Sequence, residues 1–181
     1  MIMLTGAFHE DALSDFCDGF GGGYTKARIL EIMKDSRIGT YGATALVLLL
    51  AGKIFLLANI DPVKIPFVII AAHALSRVNP VLLIFSLSYV REDATTKSKP
   101  IGESKSVWVL VVALVFGLLP VLLLPVEVYP FILVAMLVIF VWFRQYVKKL
   151  LGGYTGDVLG ALQQLSEVGF YLSFILAQKT F

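Results

Sequence analysis

The apolar residues of this 181-residue chain are gathered into long blocks separated by short charged stretches. A helix crossing a bilayer requires that pattern; a soluble bundle, with a polar stripe on every helix, does not. Crossing about 30 Å of hydrocarbon takes roughly 20 helical residues. Five segments approach that length: residues 41–59, 66–90, 107–124, 126–143 and 158–177. Composition agrees, with 58% hydrophobic residues and a mean hydropathy of +0.85, more than a soluble core needs. The predicted fold is all-α: a polytopic transmembrane helical bundle of five spans, one membrane domain over residues 1–181, with an acidic helical region at 1–40 ahead of the bundle at 41–181. His73, Ser76, Arg77, Asn79 and Pro80 interrupt the second span, and a proline there predicts a kink. The fifth is apolar only in its second half, because Gln163, Gln164 and Glu167 occupy its first turns.

Basic residues cluster before the first span (Lys26, Arg28, Lys34, Arg37), between the second and third (Arg91, Lys97, Lys99, Lys105) and after the fourth (Arg144, Lys148, Lys149). These are alternate loops, so the positive-inside rule puts the N-terminal region in the cytoplasm. The expected location is the plasma membrane, multi-pass, with the acidic region, the 34–37 stretch and the 152–157 loop on one cytoplasmic side. A formal charge of +2 without a basic stripe excludes a nucleic-acid partner. Cys17 is the only cysteine, which excludes an intrachain disulfide and reads as a small buried side chain. The N-terminus lacks the basic flank and long apolar run of a secretory leader, so none is expected. Lipid is the expected partner, and homo-oligomerisation is compatible with the same pattern.

Asp11, Asp15 and Asp18 are spaced i, i+4, i+7 and form one stripe if residues 9–18 are helical. Such a stripe is often only a solvated helix face. Like charges so placed repel, however, and a hard cation such as Mg2+ relieves the repulsion through oxygen ligands. Glu10 adjoins the stripe. Gly19 is a candidate cap, and Gly21-Gly22-Gly23 would let backbone amides approach a phosphate. Thr25 is placed to cap a second helix through Lys34. Arg28 and Lys34 return positive charge toward the acids, Arg37 suits bidentate phosphate contact, and Asp35 is a further candidate metal ligand. In the second span His73 and Arg77, four apart with Ser76 beside them, are functional candidates because ionisable groups at membrane depth are costly; snorkelling or assembly is the bland alternative. Lys53, near the outer end of its span, reads as a snorkelling lysine. Asp157, Gln164 and Glu167 share one helix face, either as ligands or as interhelical packing polars, and Gly153, Gly156 and Gly160 keep that entrance slim.

Four stretches together resemble a known family. Residues 9–22 (His-Glu-Asp-Ala-Leu-Ser-Asp-Phe-Cys-Asp-Gly-Phe-Gly-Gly) resemble the acidic signature of cobalamin synthase, the adenosylcobinamide-GDP ribazoletransferase family, which usually has glycine where Ala12 stands. Residues 28–42, His73 with Ser76-Arg77, and residues 153–161 followed by Gln164 and Glu167 are similar to three further blocks, in order. The resemblance implies a Mg2+-dependent transfer. A ribose hydroxyl of α-ribazole, or of its 5′-phosphate, attacks the cobinamide-side phosphorus of adenosylcobinamide-GDP, and GMP leaves. Under that reading Glu10, Asp11, Asp15, Asp18, Asp35 and Asp157 are candidate metal ligands. Arg28, Lys34, His73, Arg77, Gln164 and Glu167 are candidate substrate ligands. His9, Asp15, Asp18 and Arg37 are the candidate catalytic set, with His9 or an unliganded carboxylate taking the hydroxyl proton. Another membrane phosphoalcohol transferase is one alternative. A secondary transporter is the other, although it predicts internal repeats that the sequence lacks.

Overall fold

The computed structural model describes residues 2–90 and 106–180, so the basic residues Arg91, Lys97, Lys99 and Lys105 lie outside the described residues. A short helix α1 (Ile2–Thr5) precedes α2 (Phe8–Gly22) and α3 (Lys26–Ile32). Then follow α4 (Thr40–Ala58), α5 (Ile65–Leu75), α6 (Val78–Ser86), α7 (Val107–Leu118), α8 (Tyr129–Leu150) and α9 (Gly156–Thr180). The architecture is all-helical, and the five expected spans correspond to α4, α5 with α6, α7 with its 3-10 extension Leu119–Leu123, α8, and α9. Three stretches, Thr40–Ala58, Ile65–Ser86 and Val126–Leu150, are long and apolar enough to cross a bilayer; Val107–Leu123 is a shorter apolar helix. Val47, Leu48, Ile54, Phe55, Phe116 and Val138 point outward, as lipid-facing residues do.

The expected kink is present. Helix α5 ends at Leu75 and α6 begins at Val78, because Pro80 has no N–H and its ring clashes with the carbonyl four residues back, that of Ser76. The freed His73 carbonyl accepts from the Arg77 guanidinium and from Ser76 Oγ, so that group is satisfied at the break. The fourth span was expected at 126–143; α8 instead starts at Tyr129, after a 3-10 turn (Val126–Val128), and runs on to Leu150. Lys148 and Lys149 in its last turn suit the negative end of the helix dipole.

Helix α9 is the axis of the bundle and packs against α2, α8, α4, α6 and α5. Phe170, Tyr171 and Phe174 anchor one core with Val68, Ala72 and Ile132. Leu162 and Val158 anchor another with Phe16, Phe143 and Val147. Helix α2 is therefore built into the bundle and is not peripheral to it.

The glycines expected to cap α2 or approach phosphate have other work. Gly19 lies inside α2, where a Cβ would come 2.5 Å from Met33 Cγ. At Gly21 a Cβ would strike the Tyr41 ring at 2.6 Å, and at Gly23 it would meet Gly19 O at 2.8 Å. The run lets α3 fold back tightly on α2. Thr25 does cap α3, its Oγ1 accepting from Arg28 N–H at 3.3 Å, but that helix ends at Ile32, short of Lys34.

Candidate functional site: an outer cleft and a buried polar seam

Three chain segments meet at one end of the bundle: the end of α2, the start of α4 and the loop before α9. Phe20 packs on Tyr146 near the end of α8, with ring centroids 5.5 Å apart, and Tyr154 N–H donates to Ser88 O at 2.9 Å. The 152–157 loop and the 34–37 stretch therefore share a side, as expected. A cleft of about 640 Å³ opens here, lined among others by Asp18, Arg28, Glu31, Asp35, Arg37 and Tyr41.

Asp18 is the buried member of the acidic stripe. Gly39 N–H donates to its Oδ2 at 2.7 Å and Gly42 N–H to its Oδ1 at 2.9 Å. It caps the first turn of α4, whose N-cap Gly39 has no side chain to do so. A Cβ at either glycine would lie 2.3 Å from an Asp18 oxygen, so the close approach requires glycine at both positions. Asp35 and Arg37 pair with each other: Arg37 Nη2 reaches Asp35 Oδ2 at 2.6 Å and Nε reaches Oδ1 at 3.0 Å. These bonds hold the Asp35 carboxyl down to about 2 and raise the Arg37 guanidinium further. Arg28 pairs with Glu31 at 2.8 Å. Asp11 is exposed, Asp15 and Asp157 are half-buried, and Lys34 is exposed.

About 12 Å along α2 from Asp18, at 1.5 Å per residue, lies a second level. Glu10 is buried and accepts from Gln164 Nε2 at 3.3 Å through Oε1. Lys53 Nζ donates to Gln164 Oε1 at 2.5 Å and pairs with Glu167 Oε1 at 3.0 Å. Glu167 also accepts from Gln163 Nε2 at 3.1 Å and Tyr171 OH at 3.3 Å, and His73 Nδ1 lies 3.6 Å from its Oε2. Gln163 Nε2 also donates to Ser76 Oγ at 3.1 Å. Four helices thus contribute to one polar seam. His9 borders it, close enough to feel the charges of Arg77, Glu10, Glu167 and Lys53.

The candidate site residues fall at two levels joined by α2. Asp18, Arg28, Asp35 and Arg37 line the outer cleft, whereas Glu10, His73, Gln164 and Glu167 meet in the seam, with Arg77 one helical turn from His73. Lys53 corrects the snorkelling reading: its side chain is only 13% exposed and is tied to Glu167 and Gln164 inside the bundle. Sequence reasoning also missed Tyr171, which lies in the apolar second half of the fifth span and donates to Glu167. The available signal for Lys53 was its isolation as the one charge in a 19-residue helix.

The sequence profile of the cobalamin-5-phosphate synthase family matches residues 1–175. The chain belongs to this family. It is 42% identical over 178 residues to the adenosylcobinamide-GDP ribazoletransferase of Shewanella piezotolerans, covering 97% of this chain and 69% of that protein. It is 43% identical to the protein of the same name from Shewanella baltica strain OS185 and 42% to that of Shewanella oneidensis, each over 94% of this chain and 66% of the relative. The chain thus spans about two thirds of the length of these relatives. No solved structure matches it.

Two features of the synthase motif now have a physical account. Ala12, in the acidic motif, faces Gly160 of α9: a Cβ on Gly160 would come 2.4 Å from Ala12 Cβ. One side chain fits at this crossing provided the partner position is bare. Gly153 is bare for a comparable reason, since a Cβ would lie 2.2 Å from Ser88 O; Gly156, in contrast, faces open space. As for a divalent metal, among the described residues no three His, Cys, Asp or Glu side chains form a ready cage. Mg2+ usually takes one or two carboxylates and completes its shell with substrate phosphates and water. Asp11 and Asp15, one turn apart and not buried, fit that pattern; so does the Glu10 Oε2 atom, which is buried without a hydrogen-bond partner among the described residues. Asp18 and Asp35, with both oxygens engaged, fit it less well.

Proposed function

We propose that this chain is an adenosylcobinamide-GDP ribazoletransferase, joining adenosylcobinamide-GDP to α-ribazole or its 5′-phosphate and releasing GMP. The observation that carries the reading is the alignment with proteins of that name along nearly the whole chain. Displacement at phosphorus needs charge neutralisation and alignment more than a covalent partner. Arg28 and Arg37 on the cleft wall and Arg77 at the kink supply positive charge for the phosphates. Arg77, between α5 and α6, donates to the His73 carbonyl of α5 through one guanidinium nitrogen, and a guanidinium carries further N–H groups for an anion. Glu10 Oε2 and half-buried His9 are the acceptors nearest the seam for the attacking hydroxyl's proton. Mg2+, held by Asp11 and Asp15 with Glu10 or Asp157 as additional oxygen donors, would neutralise phosphate charge.

The alternation of basic loops supports a plasma-membrane protein with the cleft facing the cytoplasm. The decisive experiment supplies purified protein in detergent with adenosylcobinamide-GDP, α-ribazole and Mg2+. Formation of a nucleotide-looped corrinoid with stoichiometric GMP, lost on chelation and restored by Mg2+, is expected. Absence of both products would overturn the assignment for this chain.

A further inference from the structure

We infer that Lys53 is a positioning residue of the site, holding the Glu10 carboxylate in place through Gln164; the inference rests on the activity proposed above. The chain of contacts is continuous. Glu167 Oε1 fixes Lys53 Nζ at 3.0 Å, Lys53 Nζ fixes Gln164 Oε1 at 2.5 Å, and the other end of that amide, Nε2, reaches Glu10 Oε1 at 3.3 Å. An amide that accepts from a lysine through its oxygen must present its NH2 to whatever lies opposite, so Lys53 sets which way Gln164 faces. The far end is a carboxylate 7% exposed whose Oε2 has no hydrogen-bond partner among the described residues.

A buried carboxylate oxygen left without a donor is costly, more so than a neutral group. It therefore serves as the acceptor for a ligand donor, here a hydroxyl or a metal-bound water of the reacting complex. Glu167 is itself braced by Gln163 and Tyr171, which makes it a rigid base for the relay. Lys53 lies on α4, Gln164 and Glu167 on α9 and Glu10 on α2, so the relay ties the motif helix to two spans at membrane depth. A lysine present only to offset Glu167 would need no contact with Gln164.

The test uses the full chain in detergent with Lys53→Met, Lys53→Arg, Gln164→Leu and the Lys53→Met/Gln164→Leu double variant, and reads kcat, KM and unfolding midpoint. If the relay operates, each of the two disruptive single changes lowers kcat about tenfold, and the double variant loses no more than the worse single. KM for adenosylcobinamide-GDP stays within about twofold, and Lys53→Arg recovers most of kcat because it keeps a donor to both partners. A second arm needs no turnover: labelling of Glu10 by dicyclohexylcarbodiimide, followed by peptide mass mapping. Labelling should rise several-fold in both Lys53→Met and Gln164→Leu but not in Lys53→Arg. Losses that multiply in the double variant, or Glu10 labelling unchanged in both disruptive variants, overturn the relay. If wild-type protein makes no corrinoid product, the functional reading fails and the labelling arm alone decides the relay.

Discussion

Replacing Asp18 by asparagine separates two roles that the acidic stripe confounds. The carboxylate gives one oxygen to Gly39 N–H and the other to Gly42 N–H, at 2.7 and 2.9 Å, and the residue is 9% exposed. Asparagine keeps one acceptor and turns an NH2 toward the second amide, so one charge-assisted hydrogen bond is replaced by two facing donors. A bond of that kind contributes about 1.5–3 kcal/mol, and the lost anion at the N-terminus of α4 adds about 0.3–1 kcal/mol. The expected destabilisation is about 2–4 kcal/mol. It would be read as an earlier midpoint in SDS-titrated unfolding followed by tryptophan fluorescence. Trp142, stacked on Tyr146 at 5.7 Å, reports on this end of the bundle. Asp11→Asn is the internal control: the residue is exposed, so its stability change should stay within about 0.5 kcal/mol while turnover falls. An Asp18→Asn protein that unfolds at the wild-type midpoint yet is inactive would refute the capping role and return Asp18 to the ligand set.

Two further outcomes follow from the packing and the charge. Gly160→Ala should lower the unfolding midpoint by the equivalent of about 1–3 kcal/mol, since its Cβ would come 2.4 Å from Ala12 Cβ; adding Ala12→Gly should recover most of the loss, and a double variant no better than Gly160→Ala would contradict the crossing. The Asp35 carboxyl is held down to about 2 by Arg37, so any stability from the pair is present above the ordinary carboxylate pKa near 4 and is lost only as pH falls through about 2. Asp35→Asn should therefore leave the pH profile of unfolding between about 5 and 9 unchanged and lower KM for adenosylcobinamide-GDP by freeing Arg37 for phosphate, without altering the Mg2+ concentration needed for half-maximal turnover; a shifted Mg2+ requirement would make Asp35 a metal ligand.

How much of this could be read from the sequence depended on whether a residue's role is local. The spans and the Pro80 kink were readable because lipid and missing N–H groups act on each segment by itself. The helical stripe of Asp11, Asp15 and Asp18 was readable for the same reason, through a spacing that any helix imposes. Their division of labour was not: Asp18 is committed by Gly39 and Gly42, 21 and 24 residues away, while Asp11 at the other end of the stripe remains exposed. Lys53 was misjudged because the residue that defines it, Gln164, is 111 positions distant, and hydropathy along one helix carries no information about partners. The fourth span was drawn too short because a membrane helix does not stop where hydrocarbon does; α8 continues through Arg144 and Tyr146 to Leu150. In a soluble protein a helix carrying a run of polar side chains would turn them to water. Here α9, with Gln163, Gln164, Ser166 and Glu167 in mid-helix, is the most enclosed element, and all four are buried. When the solvent is lipid, polar side chains gain by turning toward protein, so polarity within a span marks the interior of the bundle. That inversion makes a lone lysine in an apolar helix a better pointer to the site than another carboxylate on an exposed turn.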